Sequence, residues 1–322
     1  MSFNIIGTGS SVPKQVVTND DLAKIIDTND EWISTRVGTK ERRILNAENE
    51  PEGVLTLALE AGRKAIENAG LSPSDIDMVI CSTVQGEYVT PSMSCLISKK
   101  LGINCNYVLD INMACCGFIF ALDTADSYIM SGKISRALIV CAEAMSRNVD
   151  WTDRSMCVLF GDAAGAAVIE KGDKCIDIKL TSDGQVENLY MPRVVDNCPY
   201  SEGERQPSVL LMNGQEIYKF AVKSICNETS AILERNNIDI NDVKYFLLHQ
   251  ANKRIIDSAM SKLKQPPEKY PCNIQNYGNT SSATLPLLLD EINREGMLTA
   301  GDLIVMTVFG AGLTTAACII KW

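Results

Sequence analysis

The feature that most constrains this fold is that the chain repeats itself. The stretch Ala69-Gly70-Leu71-Ser72-Pro73-Ser74-Asp75-Ile76-Asp77-Met78-Val79-Ile80 can be laid over Asn236-Asn237-Ile238-Asp239-Ile240-Asn241-Asp242-Val243-Lys244-Tyr245-Phe246-Leu247. Each is a helix end, a turn with Asp four residues after Leu71 or Ile238, then an apolar strand. Further on, Ser131-Gly132-Lys133 before Ala137-Leu138-Ile139-Val140 is echoed by Ala300-Gly301-Asp302 before Leu303-Ile304-Val305, and Phe160-Gly161-Asp162 by Phe309-Gly310-Ala311. The offset is 167 residues at Asp75 and Asp242 and 149 at Phe160 and Phe309, so the first half carries about 18 extra residues between those landmarks. Any two βα units share some likeness. Several landmarks in one order point instead to a duplicated α/β half, with a site where the halves meet.

The pattern between the landmarks agrees. Leu55 to Ala69 reads as an amphipathic helix closed by Gly70, with Pro73 beyond. Met78 to Ser82, Ala137 to Ala142 and Ala164 to Glu170 read as strands, and Phe118 to Met130 as a helix. Such alternation predicts an α/β protein with buried sheets. We expect two halves, residues 1–172 and 173–322, within a chain of 322 residues. Asn188 to Val209, rich in Pro, Asn, Ser and charge, reads as an exposed loop: a plain connector or a cover over the substrate.

Composition narrows the function. A net charge of −10 argues against generic binding to nucleic acid or to anionic membranes. The twelve cysteines are mostly scattered singly, some in apolar runs, and none is spaced C-x-x-C, so neither a zinc site nor any other metal is expected. Met1-Ser2-Phe3-Asn4 lacks the basic and long apolar regions of a secretory leader, and no apolar run reaches about 18 residues. The expectation is a reduced, cytoplasmic protein.

The chain has one histidine, in His249-Gln250-Ala251-Asn252. Sites with two histidine ligands are excluded, and any imidazole proton transfer must use His249. His249 ends the apolar run Tyr245-Phe246-Leu247-Leu248, on the rim where α/β sites form. Upstream, Asp110-Ile111-Asn112-Met113-Ala114-Cys115-Cys116-Gly117-Phe118 passes from a polar turn into an apolar helix. A thiol at a helix start is expected to favour thiolate, beside N–H groups able to hold an oxyanion. Asn279 lies in Gly278-Asn279-Thr280-Ser281-Ser282, ahead of another apolar helix. Singly, these read as a buried thiol, a structural histidine and a turn or N-cap asparagine. In the order Cys, His, Asn they are a nucleophile, a base and an amide.

These segments resemble the β-ketoacyl-acyl carrier protein synthase III family, thiolase-fold condensing enzymes that start fatty-acid synthesis. The resemblance runs from Ile5-Ile6-Gly7-Thr8-Gly9-Ser10 through Asp30-Glu31-Trp32-Ile33, Arg36-Val37-Gly38, Ala114-Cys115-Cys116-Gly117-Phe118, Phe160-Gly161-Asp162, His249-Gln250-Ala251-Asn252 and Gly278-Asn279-Thr280-Ser281 to Phe309-Gly310-Ala311-Gly312. It implies an internally duplicated thiolase-like fold, layered αβαβα around two central mixed sheets. It makes Cys115 the nucleophile, with Cys116 a bystander where a small residue is usual, and adds His249 and Asn279. Elongating relatives use two histidines, which this chain cannot supply.

By the same resemblance, Cys115 takes an acyl group from acyl-CoA, and malonyl-acyl carrier protein then condenses with it, with no cofactor beyond the CoA thioester substrates. Backbone N–H groups of Cys115 and Ala311 would hold the oxyanion. Trp32, Arg36, Arg154 and Asn252 match CoA contacts; Val37 and Gln215 depart from the usual Thr and Asn. Thr90, Met145, Leu159 and Phe160 match acyl-pocket positions, and Thr90, in place of a bulky Phe, implies room for longer or branched primers. Lys253 and Arg254, extended by Lys40, Arg42 and Arg43, would form a basic face for the acidic carrier protein. A homodimer is implied, with Thr90 approaching the partner's pocket. Two other readings use the same residues: a starter-unit condensing enzyme or acyltransferase of secondary metabolism, and a papain-like protease, whose C-G-[SA]-C-[WY] signature is absent.

Overall fold

The computed structural model describes residues 2–46, 53–193, 200 and 208–322. In chain order its elements begin with β1 (Ser2–Ser11), β2 (Val16–Thr18), α1 (Asn19–Leu22), α2 (Asp30–Arg36), β3 (Glu41–Arg43), α3 (Val54–Asn68), β4 (Met78–Ser82) and α4 (Met93–Leu101). There follow β5 (Tyr107–Ile111), α5 (Gly117–Met130), β6 (Arg136–Ala144), β7 (Asp162–Gly172), β8 (Cys175–Gln185), β9 (Leu189–Tyr190), β10 (Leu211–Met212) and α6 (Gly214–Arg235). The chain ends with β11 (Tyr245–Leu248), α7 (Lys253–Leu263), α8 (Ile274–Tyr277), α9 (Thr284–Arg294), β12 (Leu303–Gly310) and β13 (Gly312–Lys321).

The repeat seen in the sequence is the architecture. One sheet runs β1-β7-β6-β4-β5 and the other β8-β13-β12-β11, so the second reproduces the first four strands of the first. Both are mixed: β4 pairs β6, and β11 pairs β12, in parallel, while the β6–β7 and β12–β13 pairs are antiparallel. The extra residues of the first half are also located. Met145 to Gly161 joins β6 to β7, whereas Ala311 alone joins β12 to β13.

Strands buried on both faces read as continuous apolar runs, which is how these five to eleven residues announce themselves. Side chains alternate between faces. Ile80 and Ile139 point into the central core with Phe118, Leu122, Leu288 and Met306, and Val79 and Val140 point outward to Leu57 and Ala61 of α3. Phe246 and Val305 meet Ile225 and Ile256 of α6 and α7 on the far side. The layers are therefore α3 and α4, the first sheet, α5 and α9, the second sheet, and α6 and α7. α9 lies directly on β7, because a Cβ at Gly165 would come within 2.7 Å of Leu287 N. The fold is thiolase-like, as the resemblance implied. None of the described helices is long and apolar enough to cross a membrane.

Candidate active site

The two central helices start alike. Each follows a 3-10 turn entered through a left-handed residue, Ala114 (φ 45°) before α5 and Ser281 (φ 53°) before α9, 167 residues apart. A left-handed residue with a Cβ costs about 1–3 kcal/mol and persists only where its surroundings fix it. Here an asparagine two residues earlier does so: Asn112 Oδ1 accepts from Ala114 N at 3.3 Å and Asn279 Oδ1 from Ser281 N at 2.8 Å. The turns face each other, with Cys115 Sγ 3.7 Å from Ser281 Oγ. The end of β12 closes on them: a Cβ at Gly310 would lie 3.1 Å from Cys115 N, a tight contact that glycine avoids.

His249 is the first residue beyond β11, and its backbone N donates to Thr307 O of β12 at 3.0 Å. Its Nδ1 lies 2.7 Å from Thr284 Oγ1, and its ring meets Phe309 edge-on with centroids 5.2 Å apart. The residue is 1% exposed, and desolvation pushes the imidazole down to about 3, so it is neutral at neutral pH. Asn279 is held by a bridge to Phe160: its N donates to Leu159 O at 2.8 Å and its O accepts from Gly161 N at 3.2 Å. With Oδ1 committed to Ser281, the amide NH2 has no partner among the described residues.

The thiol corrects one expectation. Cys115 sits in the 3-10 turn ahead of α5, half-buried where it lines a cavity, with little water around its sulfur. That desolvation outweighs the helix start and pushes the thiol up to about 12. The resting pair is thus thiol and neutral imidazole. Cys116 points away and is buried, its Sγ accepting from Thr314 Oγ1 at 3.2 Å.

Cys115, His249, Asn279 and Ala311 all line one cavity of about 940 Å³. The linker present only in the first repeat builds one wall with Met145, Leu159 and Phe160. Leu189, Met191, Leu210 and Met212, in and beside the paired strands β9 and β10, build another. Such a largely apolar cavity, lined by a thiol, an imidazole and an amide, suits acyl transfer from a thioester.

Comparison with known proteins agrees. The model of 3-oxoacyl-[acyl-carrier-protein] synthase III matches residues 109–184, and that of its C-terminal part residues 233–322. The chain is similar to the β-ketoacyl-[acyl-carrier-protein] synthase III of Clostridium acetobutylicum, 44% identical over 325 residues that cover 100% of this chain and 99% of that protein. This chain belongs to the β-ketoacyl-[acyl-carrier-protein] synthase III family. The solved synthase III of Aquifex aeolicus VF5 superposes with a TM-score of 0.91 at 42% identity, over 99% of this chain and 100% of that one. The priming β-ketosynthase of the R1128 polyketide pathway superposes with a TM-score of 0.90 at 34% identity, over 99% and 96% of the two chains.

The remaining residues marked by the family resemblance fall unevenly. Asn29 caps α2 by accepting from Trp32 N at 2.8 Å, which sets Trp32 on the first turn at the cavity mouth. Arg36 and Arg154 stand over its ring, Cζ 5.0 and 5.3 Å from the centroid; Arg36 lines the cavity and Arg154 does not. Asn252 lines the cavity, caps α7, and donates from Nδ2 to Arg36 O at 3.1 Å. Val37 and Gln215 also line it. Thr90 does not: it is exposed, in the loop ahead of α4.

The basic face needs correction. Arg42 is 0% exposed, donating to Asn19 Oδ1 at 2.9 Å and to the carbonyls of Val17 and Val158 at 3.2 Å each. Burial lowers it to about 10. Lys40 faces Asp30, Arg43 faces Glu41, and Lys253 pairs with Asp257. Arg254 stays at the mouth, its Cζ 5.5 Å over the Tyr218 ring, and Lys219, which the sequence reading missed, lines the mouth nearby. Ser281, Thr284 and Phe309 were given no role either. The first two sit inside or beside the Asn279 motif, so its turn-forming serines and threonines were the available signal. Most of the 188–209 loop lies outside the described residues; of its described ends, Leu189 and Met191 line the cavity.

Proposed function

We propose that this condensing enzyme of fatty-acid initiation runs both half-reactions on Cys115, His249 and Asn279. The observation that carries the reading is the convergence of these three side chains on one apolar cavity whose mouth holds Trp32 and Arg36. In the first half-reaction His249 Nε2 takes the Cys115 proton as sulfur attacks the thioester of an acyl-CoA. The new C–S bond forms, the old one breaks, and CoA leaves as its thiol with that proton. In the second, the malonyl C–C bond breaks, CO2 leaves, and its electron pair becomes an enolate at the thioester carbonyl of malonyl-acyl carrier protein. His249 Nε2–H and the Asn279 amide hold that oxygen. The enolate carbon attacks acyl-Cys115, and the released thiolate takes one proton from solvent. Backbone N–H groups of Cys115 and Ala311 hold the tetrahedral oxyanion, and a donor of this kind contributes about 3–4 kcal/mol in acyl transfer.

Thr284 supports both roles of the imidazole. Its hydroxyl lies 2.7 Å from His249 Nδ1 and 3.0 Å from Ser281 O. Donating to the carbonyl, it accepts from Nδ1–H and leaves Nε2 a base; turned to Nδ1, it leaves the hydrogen on Nε2.

The acyl primer enters the wall formed by Met145, Leu159 and Phe160, CoA stacks at Trp32 beside Arg36 and Arg154 with its pantetheine passing Asn252, and the carrier protein docks at Arg254 with Lys253 beside it. A homodimer belongs to this reading. β5 is the free edge of the first sheet, Leu109 on it is exposed, and so are Tyr88 and Val89 ahead of α4, whose first residues Met93 and Ser94 donate to Asp110 of β5. Thr90 reaches a pocket only through such a second copy.

Incubation with radiolabelled acetyl-CoA should label Cys115, and malonyl-acyl carrier protein should then release acetoacetyl-carrier protein and CO2. Cys115→Ser should abolish both. Undiminished condensation in that variant would refute the nucleophile.

A further inference from the structure

We propose that Glu143 is a positioning residue: it grips the Asn279–Thr284 turn through Ser282 and keeps the three reactive side chains in register. This rests on the reading of Cys115, His249 and Asn279 given above. Glu143 lies on β6 and is 1% exposed. Oε1 accepts from Ser282 Oγ at 2.6 Å and Oε2 from Val84 N at 3.0 Å. Ser282 belongs to a turn that touches every reactive group. Asn279 opens it, Ser281 faces Cys115 Sγ at 3.7 Å, and Thr284 meets His249 Nδ1 at 2.7 Å.

The repeat explains why the carboxyl is there. At the offset of 167 residues, Ser282 stands where Cys115 stands in the first half, Ser82 where His249 stands in the second, and Asn112 opposite Asn279. Glu143 therefore faces the mirror position of the nucleophile. That second cluster is sealed. A Cβ at Gly117 would come within 1.8 Å of Ser82 Oγ and 3.2 Å of Ser282 Cβ, and neither Ser82, Ser282 nor Glu143 lines the cavity. No substrate reaches the carboxyl, so its action passes through the turn.

Its electrostatic setting is apolar. Among the described residues, the titratable groups facing it are thiols: Cys81 on β4, Cys141 on β6 and Cys115 in the turn ahead of α5. Burial pushes the carboxyl up to about 7, against the pull of hydrogen bonds from Ser282, Val84 and Ser281. In its ionised form it opposes ionisation of Cys115.

The test is Glu143→Gln in the whole chain, which keeps the shape but replaces one acceptor oxygen with a donor and removes the charge. KM for acetyl-CoA should stay within about twofold while kcat for condensation falls about tenfold or more, the scale of a small misplacement of reacting groups. The pH profile of Cys115 alkylation by iodoacetamide, followed by mass spectrometry, should move to lower pH. Wild-type kcat in the folded variant overturns the proposal. So does a kcat loss with an unmoved alkylation profile, which loosened packing alone would give. Should Glu143→Gln fail to fold, Ser282→Ala cuts the same link and should show the same kcat loss; wild-type kcat there overturns the proposal. Persistent acyl labelling of Cys115→Ala is the separate sign that the nucleophile itself is misassigned.

Discussion

Thr284 Oγ1 stands 2.7 Å from Nδ1 of His249, so one hydroxyl orients the only imidazole in the chain. Thr284→Val keeps the volume and removes that partner. Condensation kcat/KM should fall roughly 10–100-fold, the range for losing a residue that orients a working histidine, and Thr284→Ser should recover most of it. Steady-state kinetics of the two variants checks this, and equal rates for valine and serine would refute the role.

Asn279 separates the half-reactions. Asn279→Asp keeps an acceptor for Ser281 N but loses the NH2 that faces the cavity. Condensation should drop about 10²–10³-fold, the effect of one oxyanion donor, while acylation of Cys115 stays within severalfold. Rapid quench with labelled acetyl-CoA, with and without malonyl-carrier protein, reads both steps. Parallel losses would refute the division.

Arg42 belongs to stability and not to docking. Arg42→Ala strips a partner from Asn19 Oδ1, Val17 O and Val158 O, and Val158 adjoins the 159–161 stretch that bridges Asn279. At about 1–3 kcal/mol for each acceptor left buried, the loss should reach about 3 kcal/mol or more in urea unfolding. A loss below about 1 kcal/mol would contradict the buried network.

Two buried groups, His249 in the site and Glu143 behind it, pull stability in opposite directions with pH. His249 is held down to about 3 from an ordinary 6.5, so between those values the unfolded chain binds the extra proton and stability is lost as pH falls. Glu143 is held up to about 7 from 4.5, so the folded chain keeps the proton and stability is lost as pH rises through that window. Glu143→Gln removes the second trend alone. Relative to wild type, its unfolding free energy should gain on the order of 3 kcal/mol between about pH 5 and about pH 8. Equal changes in both proteins would refute it.

The duplicated fold was legible because buried strands and turn aspartates keep their spacing: the 167-residue offset holds from Asp75 and Asp242 through the starts of β6 and β12. Cys115, His249 and Asn279 stood out as residue types with chemistry. Glu143 did not, because on a strand among Cys141, Ala142 and Ala144 nothing local says where its carboxyl points. Charge alone misled at Arg42, since exposure depends on packing across elements far apart in sequence. The thiol's state was misjudged for a similar reason. A helix start is visible in sequence, whereas Ser281 and Gly310, which pack against Cys115, come from the other half.

The twin turns at Ala114 and Ser281 carry a stoichiometric consequence. A chain with two equivalent scaffolds is set to accept one acyl group. The seat opposite Cys115 holds Ser282, a hydroxyl tied to Glu143 under a glycine with no space for a methyl group. Saturating label should therefore stop at one equivalent per polypeptide, and Ser282→Cys would add a thiol without adding a second entrance.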